Sequence, residues 1–494
     1  MTHLGDEEPA GPSGLLTLAA DEGNDWQIAQ TLSRVPERDR LERRERILRG
    51  YLLGQLAVIA NFAIYYSLFS PVAAALAGVG GMGQGRSLYS AAVAIFQPIA
   101  GVLAERIAVR SILIGGFAIR ALIWAVILPI GYLALSTGAP LLTLFLLLML
   151  IDGVVVSIGS LVDIDEGGLD LLGQQHGFPV DDDLRNRYNS IYEGFTSIGR
   201  IIMAPLMATL GLVMASVLNS AADALVIVMA LGFLLPAMVG AYFYLRYIPS
   251  DPVLPARVAG ASALDEVVEI YGGLRSGLQL TWRLKRIRWR ILLNSAERAI
   301  EDSMLLIVLA TFALKVLAPE DLAKGAFYTA LLIAVGKVGS IVSAWAMHKY
   351  WRAPSAGMSQ WASYKFFFPL AFAGTLATAL MPVAVYVALA GALAVAAVLA
   401  ALSAILFNLL FTASSLGFRN LMQGIVSEAG ASGRVLGIQG MFIMGTSALA
   451  ILGLSAIFET MGLLAAFITT SAIYIGYGIL QLLYGRRLIF SDSN

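Results

Sequence analysis

The chain has 494 residues, of which 58% are hydrophobic and 13% charged, and its mean hydropathy is +0.77. A soluble domain averages roughly 45–50% apolar and about 25% charged, so a water-soluble fold could not hide this much apolar surface. The formal net charge of +0 gives no global field toward nucleic acid or an acidic partner, and the lack of cysteine excludes disulfides, thiolate metal ligands and cysteine nucleophiles.

Residues 1–50 read as a polar tail: Asp6, Glu7 and Glu8 are followed by a basic run from Arg34 to Arg49, without the apolar core of a signal peptide. A helix needs about 20 apolar residues to cross the hydrocarbon core, and hydropathy gives roughly twelve such runs. The predicted spans are 51–73, 86–107, 111–135, 140–163, 190–216 and 223–246, then 290–315, 324–348, 360–382, 384–415, 434–457 and 461–484. Stretches such as Leu141–Leu150 are continuously apolar, which suits helices and not the alternating segments of a transmembrane barrel. The expected fold class is therefore an all-α polytopic membrane protein with about twelve transmembrane helices in two six-helix bundles. The bundles are expected at 51–246 and 290–485, with a polar connector at 247–289 and a short tail at 486–494. The connector opens with Pro249 and Pro252 and closes with the basic residues Arg283, Lys285, Arg286, Arg288 and Arg290.

Lys and Arg near helix ends stay on the cytoplasmic side. The N-terminal tail, Arg106 and Arg110, Arg185 and Arg187, the connector, His348-Lys349 with Arg352, Arg419 with Arg434, and Arg486-Arg487 all alternate to one side. Opposite them stand Arg86, Lys315 and Lys324. Both termini are accordingly expected in the cytoplasm of a cell whose inner or plasma membrane holds the protein.

Gly78, Gly80 and Gly83 match a dinucleotide-binding spacing, and Gly80 to Ser87 resembles a phosphate loop. Neither has the preceding strand that the phosphate-cradling mechanism requires, so a Gly-rich turn is expected there and an ATP-driven pump is unsupported. The informative stretch is Gly101-Val102-Leu103-Ala104-Glu105-Arg106-Ile107-Ala108-Val109-Arg110, in which a glycine is followed four residues later by an acid, an adjacent arginine and a further basic residue. It resembles the signature loop of the major facilitator superfamily, with Glu in place of the commoner Asp and Ala108 in place of a frequent second glycine. The resemblance implies that Gly101, Glu105, Arg106 and Arg110 form a conformational latch; otherwise the two arginines are ordinary positive-inside anchors. The second half holds a worn copy, from Gly339 through Ala344 to His348-Lys349. Gly433-Arg434-Val435-Leu436-Gly437 resembles the family's cytoplasmic start of the eleventh helix, with Arg187-Tyr188-Asn189 as its first-half counterpart. Two departures stand out. Leu150-Ile151-Asp152-Gly153 lacks the fourth-helix arginine of many family exporters, and the fifth helix, with Arg200, Ala204 and Pro205, keeps little of the antiporter motif.

A charge inside an apolar helix costs about 2.5–3.5 kcal/mol on the insertion scale. Asp152 falls near the middle of the fourth span, and Glu301 and Asp302 near the middle of the seventh, one turn from Glu297 and Arg298. Asn61 and Asn408 occupy comparable depths in the first and tenth. In the resembled family the first, fourth, seventh and tenth helices line the central cavity, so Asn61, Asp152, Glu301, Asp302 and Asn408 are the candidates for a substrate or coupling-ion site. The alternative is internal pairing, Arg298 with Asp302, or Asp152 with Arg120, Arg200 or Lys337. The histidines, His3, His176 and His348, lack metal-ligand spacing, and the acidic stretch Asp163, Asp165, Glu166, Asp170 and Asp181-Asp182-Asp183 lacks the EF-hand pattern.

The expected function is alternating-access transport of a small solute by a secondary transporter, with export the favoured direction. The rivals are a divalent-metal exporter resembling ferroportin and a non-transporting receptor or assembly protein that kept the fold. No catalytic residues, metal or cofactor are expected. The partners are a small-molecule or ion substrate and the lipid bilayer, not nucleic acid, with a monomer as the simplest state.

Overall fold

The structure, a computed structural model, describes residues 37–104, 106–135, 139–160, 162, 168–250, 252, 263–283, 285–319, 321–350, 367–428 and 432–490. It is all-α, and among the described residues ten helices are long and apolar enough to cross a membrane. They are the second to sixth spans, Gly83–Ala104, Val109–Ala134, Pro140–Ser160, Asp183–Leu218 and Asp223–Tyr247, and the eighth to twelfth, Leu322–Met347, Phe367–Leu389, Leu393–Gly417, Val435–Thr460 and Leu463–Gly485. Apolar side chains such as Leu133, Leu449 and Val217 lie exposed on these helices, as residues that face lipid do. With the first and seventh spans these helices make the two six-helix bundles of the major facilitator fold.

The first span is the start of one helical run, Glu37–Ala104. Residues 69 and 85 of a straight helix would be about 24 Å apart. Yet a Cβ placed on Gly85 would sit 3.2 Å from the Phe69 ring, so the run doubles back on itself between them. The expected Gly-rich turn thus falls where the run reverses. Its two arms share one core at their far ends, where Ile47 and Tyr51 pack with Ala100 and Ala104.

The seventh span occupies residues 285–317. Its α-helix Lys285–Ser303 widens into π turns at Met304–Val308 and again at Ala313–Leu317. A π turn adds a residue per turn and re-aims the side chains before it. The first begins directly after Glu301, Asp302 and Ser303.

The ninth span runs on to Leu389, past the expected end at 382, and the chain turns at Gly391, whose φ of 89° lies in the left-handed region. Pro382 lies at the expected end and does not break the span. It sits in the first turn of the helix Leu380–Leu389, where its missing N–H costs nothing. Two further helices lie in segments expected as loops, Gly168–His176 after the fourth span and Ala263–Arg283 in the connector.

The halves meet along two seams, the second span against the eleventh and the fifth against the eighth. Small residues set the approach. A Cβ on Gly437 would come 2.8 Å from the Gln97 carbonyl oxygen, and Ala204, Ala208 and Ala330 pack together at the other seam.

Candidate functional site

Successive residues on a helix point about 100° apart, so neighbouring acids on the seventh span face different partners. Glu301 turns to the eighth span. Its Oε1 lies 3.4 Å from Nζ of Lys337, which is fully buried, and its Oε2 accepts from Arg298 Nη1 at 2.9 Å. Asp302 turns to the other half, where Arg86 Nη2 of the second span lies 3.8 Å from its Oδ2. The Arg86 guanidinium also sits 4.6 Å over the Tyr89 ring. Glu297, one turn earlier and buried, faces the tenth and twelfth spans, where Ser414 Oγ donates at 3.4 Å and Gln481 donates from its amide.

The network continues from Lys337, 3.4 Å from Ser340 Oγ. Ser340 donates to Asn408 Oδ1 at 3.3 Å and shares a hydrogen bond with Thr412 at 2.9 Å. Gly336 and Gly339 make this approach possible: a Cβ on Gly336 would lie 2.9 Å from Asn408 Nδ2, and one on Gly339 would lie 2.7 Å from the Leu409 nitrogen. The worn second-half copy of the signature motif therefore starts on a glycine that packs the eighth span against the tenth. Arg200 and Glu193 of the fifth span are within electrostatic reach of Lys337, which brings the network to the fifth–eighth seam.

In the first half, Asp152 is fully buried, and Arg120 donates to it from Nε at 2.8 Å and from Nη2 at 3.4 Å. The Arg120 guanidinium lies 5.2 Å over the Phe233 ring. Together with Val58, Phe117, Val156 and Ser160, Arg120 lines a small recess between the first, third and fourth spans. Asn61 is buried, and among the described residues neither amide atom finds a hydrogen-bond partner.

The structure thus joins Glu301 and Asn408 through Lys337 and Ser340, places Asp302 on the seam, and leaves Asp152 and Asn61 apart from them. Of the pairings open in the sequence, Asp152 takes Arg120. Arg298 pairs with Glu301, one turn along the same helix.

Of the latch residues, Glu105 lies outside the described residues. Gly101 is buried, and its Cα would be 3.2 Å from a Cβ on Gly437. Gln175 holds the turn after it, accepting from the Val109 nitrogen at 2.9 Å and donating to the Ile107 carbonyl at 2.9 Å. In the acidic stretch, Asp170 forms a buried pair with Arg185, Nη2 to Oδ1 at 2.9 Å, and Asp181 caps the fifth-span helix, accepting from the Leu184 nitrogen at 2.7 Å. Asp163, Asp165 and Glu166 lie outside the described residues. Among the described residues no three His, Asp or Glu side chains gather as metal ligands would.

The two six-helix bundles are those of the major facilitator fold, and solved structures of transporters share it. The chain superposes on a bacterial homologue of the iron transporter ferroportin in its outward-facing state with a TM-score of 0.58, at 14% identity, over 91% of this chain and 100% of that one. For the human organic anion transporter MFSD10 (TETRAN) the TM-score is 0.56, at 15% identity, over 88% and 99%. For the nucleoside transporter NupG it is 0.52, at 13% identity, over 90% and 99%. No family model and no curated protein sequence matches the chain.

Proposed function

We propose that this protein is a secondary transporter that carries a small polar solute across the inner or plasma membrane by alternating access, with export as its direction and both chain termini in the cytoplasm. The reading rests on one observation: a polar and charged network around the fully buried Lys337 links the seventh, eighth and tenth spans and lies within electrostatic reach of Arg200 on the fifth, while the adjacent Asp302 pairs with Arg86 of the other half. Intramembrane charge is costly, and in membrane proteins it marks substrate and ion pathways. Ionic contacts across a seam also differ between two packings of the same halves, which is what a two-state carrier requires.

In this account Glu301, Asp302 and Asn408 belong to the substrate and coupling-ion path, with Asn61 offering an unsatisfied amide to the solute from the opposite half. Asp152, held by Arg120, is the first-half charge whose pairing changes with the state. Gly101, Glu105, Arg106 and Arg110 act as the gate at the basic end. Basic and acidic groups alternate through the network, which suits a solute carrying both signs, or an anion moving with a proton, better than a bare divalent cation.

The test is flux in vesicles that hold the purified protein, loaded in turn with a nucleoside, an organic anion and ferrous iron, the solute classes named for the structural neighbours. Each is assayed with and without proton and sodium gradients. Gradient-driven flux or counterflow of one class supports the account. Absence of any flux, from a protein that still binds one of these solutes, would assign the receptor reading.

A further inference from the structure

The connector helix Ala263–Arg283 has three faces. Gly277 and Thr281 are buried against the protein. Gly272, Ser276, Gln279 and Arg283 form one exposed row. Tyr271, Arg275, Leu278 and Trp282 form another, and its apolar members are 66%, 44% and 51% exposed. At about 100° per residue these last four fall within one narrow stripe. Water is the wrong partner for such a stripe, whereas the boundary between headgroups and acyl chains suits tyrosine, tryptophan and leucine flanked by arginine.

Connectivity puts the helix at that boundary. Only Leu284 separates it from Lys285, where the seventh-span helix begins. The acids of the connector helix, Asp265, Glu266 and Glu269, fall in its first two turns, and residues 271–290 hold Arg275, Arg283, Lys285, Arg286, Arg288 and Arg290 with no Asp or Glu. Arg288 donates to the Trp282 carbonyl at 3.4 Å, and its guanidinium sits 5.8 Å from the rings of Trp282 and Trp289. The Trp282 ring in turn stacks on Phe442 of the eleventh span, centroids 6.3 Å apart. We propose that the connector helix docks on anionic lipid headgroups at the basic end of the protein, its Tyr271–Trp282 stripe in the bilayer boundary and its arginines on the phosphates. A basic cluster beside a membrane helix is attracted to anionic lipid in this way. Through Trp282 and Phe442 the docked helix touches the second–eleventh seam.

The chain contains no cysteine, so Leu278→Cys and Ser276→Cys variants of the full protein each accept a single fluorophore. Both sites are exposed, and they lie on different rows. The labelled proteins are reconstituted in vesicles of neutral phosphatidylcholine, and in vesicles with about a third anionic phosphatidylglycerol, with a headgroup nitroxide lipid as quencher. The expected result is severalfold stronger quenching at 278 than at 276 in the anionic vesicles, weakened by salt and by Arg275→Gln with Arg283→Gln. Equal quenching at the two sites would overturn bilayer docking, and strong quenching at 278 that ignores lipid charge would overturn the recognition of anionic headgroups. A fluorophore at 278 shielded from both the lipid quencher and an aqueous one would place protein, not lipid, on the stripe.

Discussion

Gly437 and Gly101, on different halves of the protein, pack so closely that a Cβ on Gly437 would come 3.2 Å from the Gly101 Cα and 2.8 Å from the Gln97 carbonyl oxygen. Both belong to stretches whose sequences separately resemble family motifs. A valine at 437 forces backbone apart at the second–eleventh seam, a cost of roughly 1–3 kcal/mol for an overpacked contact. Gly437→Val is expected to slow turnover about tenfold or more. Gly453→Val, on the same span with nothing within 4 Å of its added carbon, should leave turnover unchanged. Vesicle flux at matched protein content checks both.

The Lys337–Glu301 pair predicts a split between stability and transport. Glu301→Gln leaves a fully buried ammonium without its carboxylate, which costs about 3–5 kcal/mol and lowers the unfolding midpoint. Replacing both, as Glu301→Gln with Lys337→Met, removes the orphan charge and should restore the midpoint. Gradient-driven flux should stay lost in the double variant. Thermal unfolding in detergent beside vesicle flux separates the two effects, and recovered flux would mean the pair is purely structural.

Asp302 and Arg86 lie on different halves, so their pair favours the packing described here. Asp302→Asn is expected to shift the population toward opening at the Arg86 end, by about tenfold for a partly buried pair. The exchanged variant, Arg86→Asp with Asp302→Arg, should move it back part of the way. Accessibility of a single cysteine at Ser455, beside Gly83 on the second–eleventh seam, reports the shift.

The acidic stretch after the fourth span should respond unevenly. Asp170→Asn removes the carboxylate that faces the buried Arg185 guanidinium and is expected to cost about 3 kcal/mol, whereas Asp181→Ala removes only a helix cap worth about 1 kcal/mol. Calcium should raise the unfolding midpoint of neither variant nor the parent. A calcium-dependent rise that disappears with Asp170→Asn would assign a cation site here instead.

Span positions were legible because apolar length is a strong signal, and the intramembrane acids because each interrupts that signal. Partners were legible only in part: Arg120 stood among three candidates for Asp152, and the structure pairs the two. Lys337 is the single charged residue between 325 and 347, and its rarity marked it, but nothing in the periodicity says that the eighth span faces Glu301 and not Asp152. The partners of Glu297 are uncharged residues of the tenth and twelfth spans, which composition does not distinguish from other polar residues. The connector helix carries Gly272, Gly273 and Gly277, residues that weaken a helical signal in the sequence. One of them, Gly277, is buried against the protein.

Alternating access is tested most directly by measuring both ends of the protein together. Nitroxide pairs are placed at Ser216→Cys with Ala392→Cys on one end, and at Asp183→Cys with Lys349→Cys on the other, all four sites being exposed. Electron–electron distance measurements in lipid should give two populations for each pair. On adding Asp302→Asn, the longer distance should gain at the 216–392 end while the shorter one gains at the 183–349 end. A single distance at each end, unmoved by the substitution, would contradict the account.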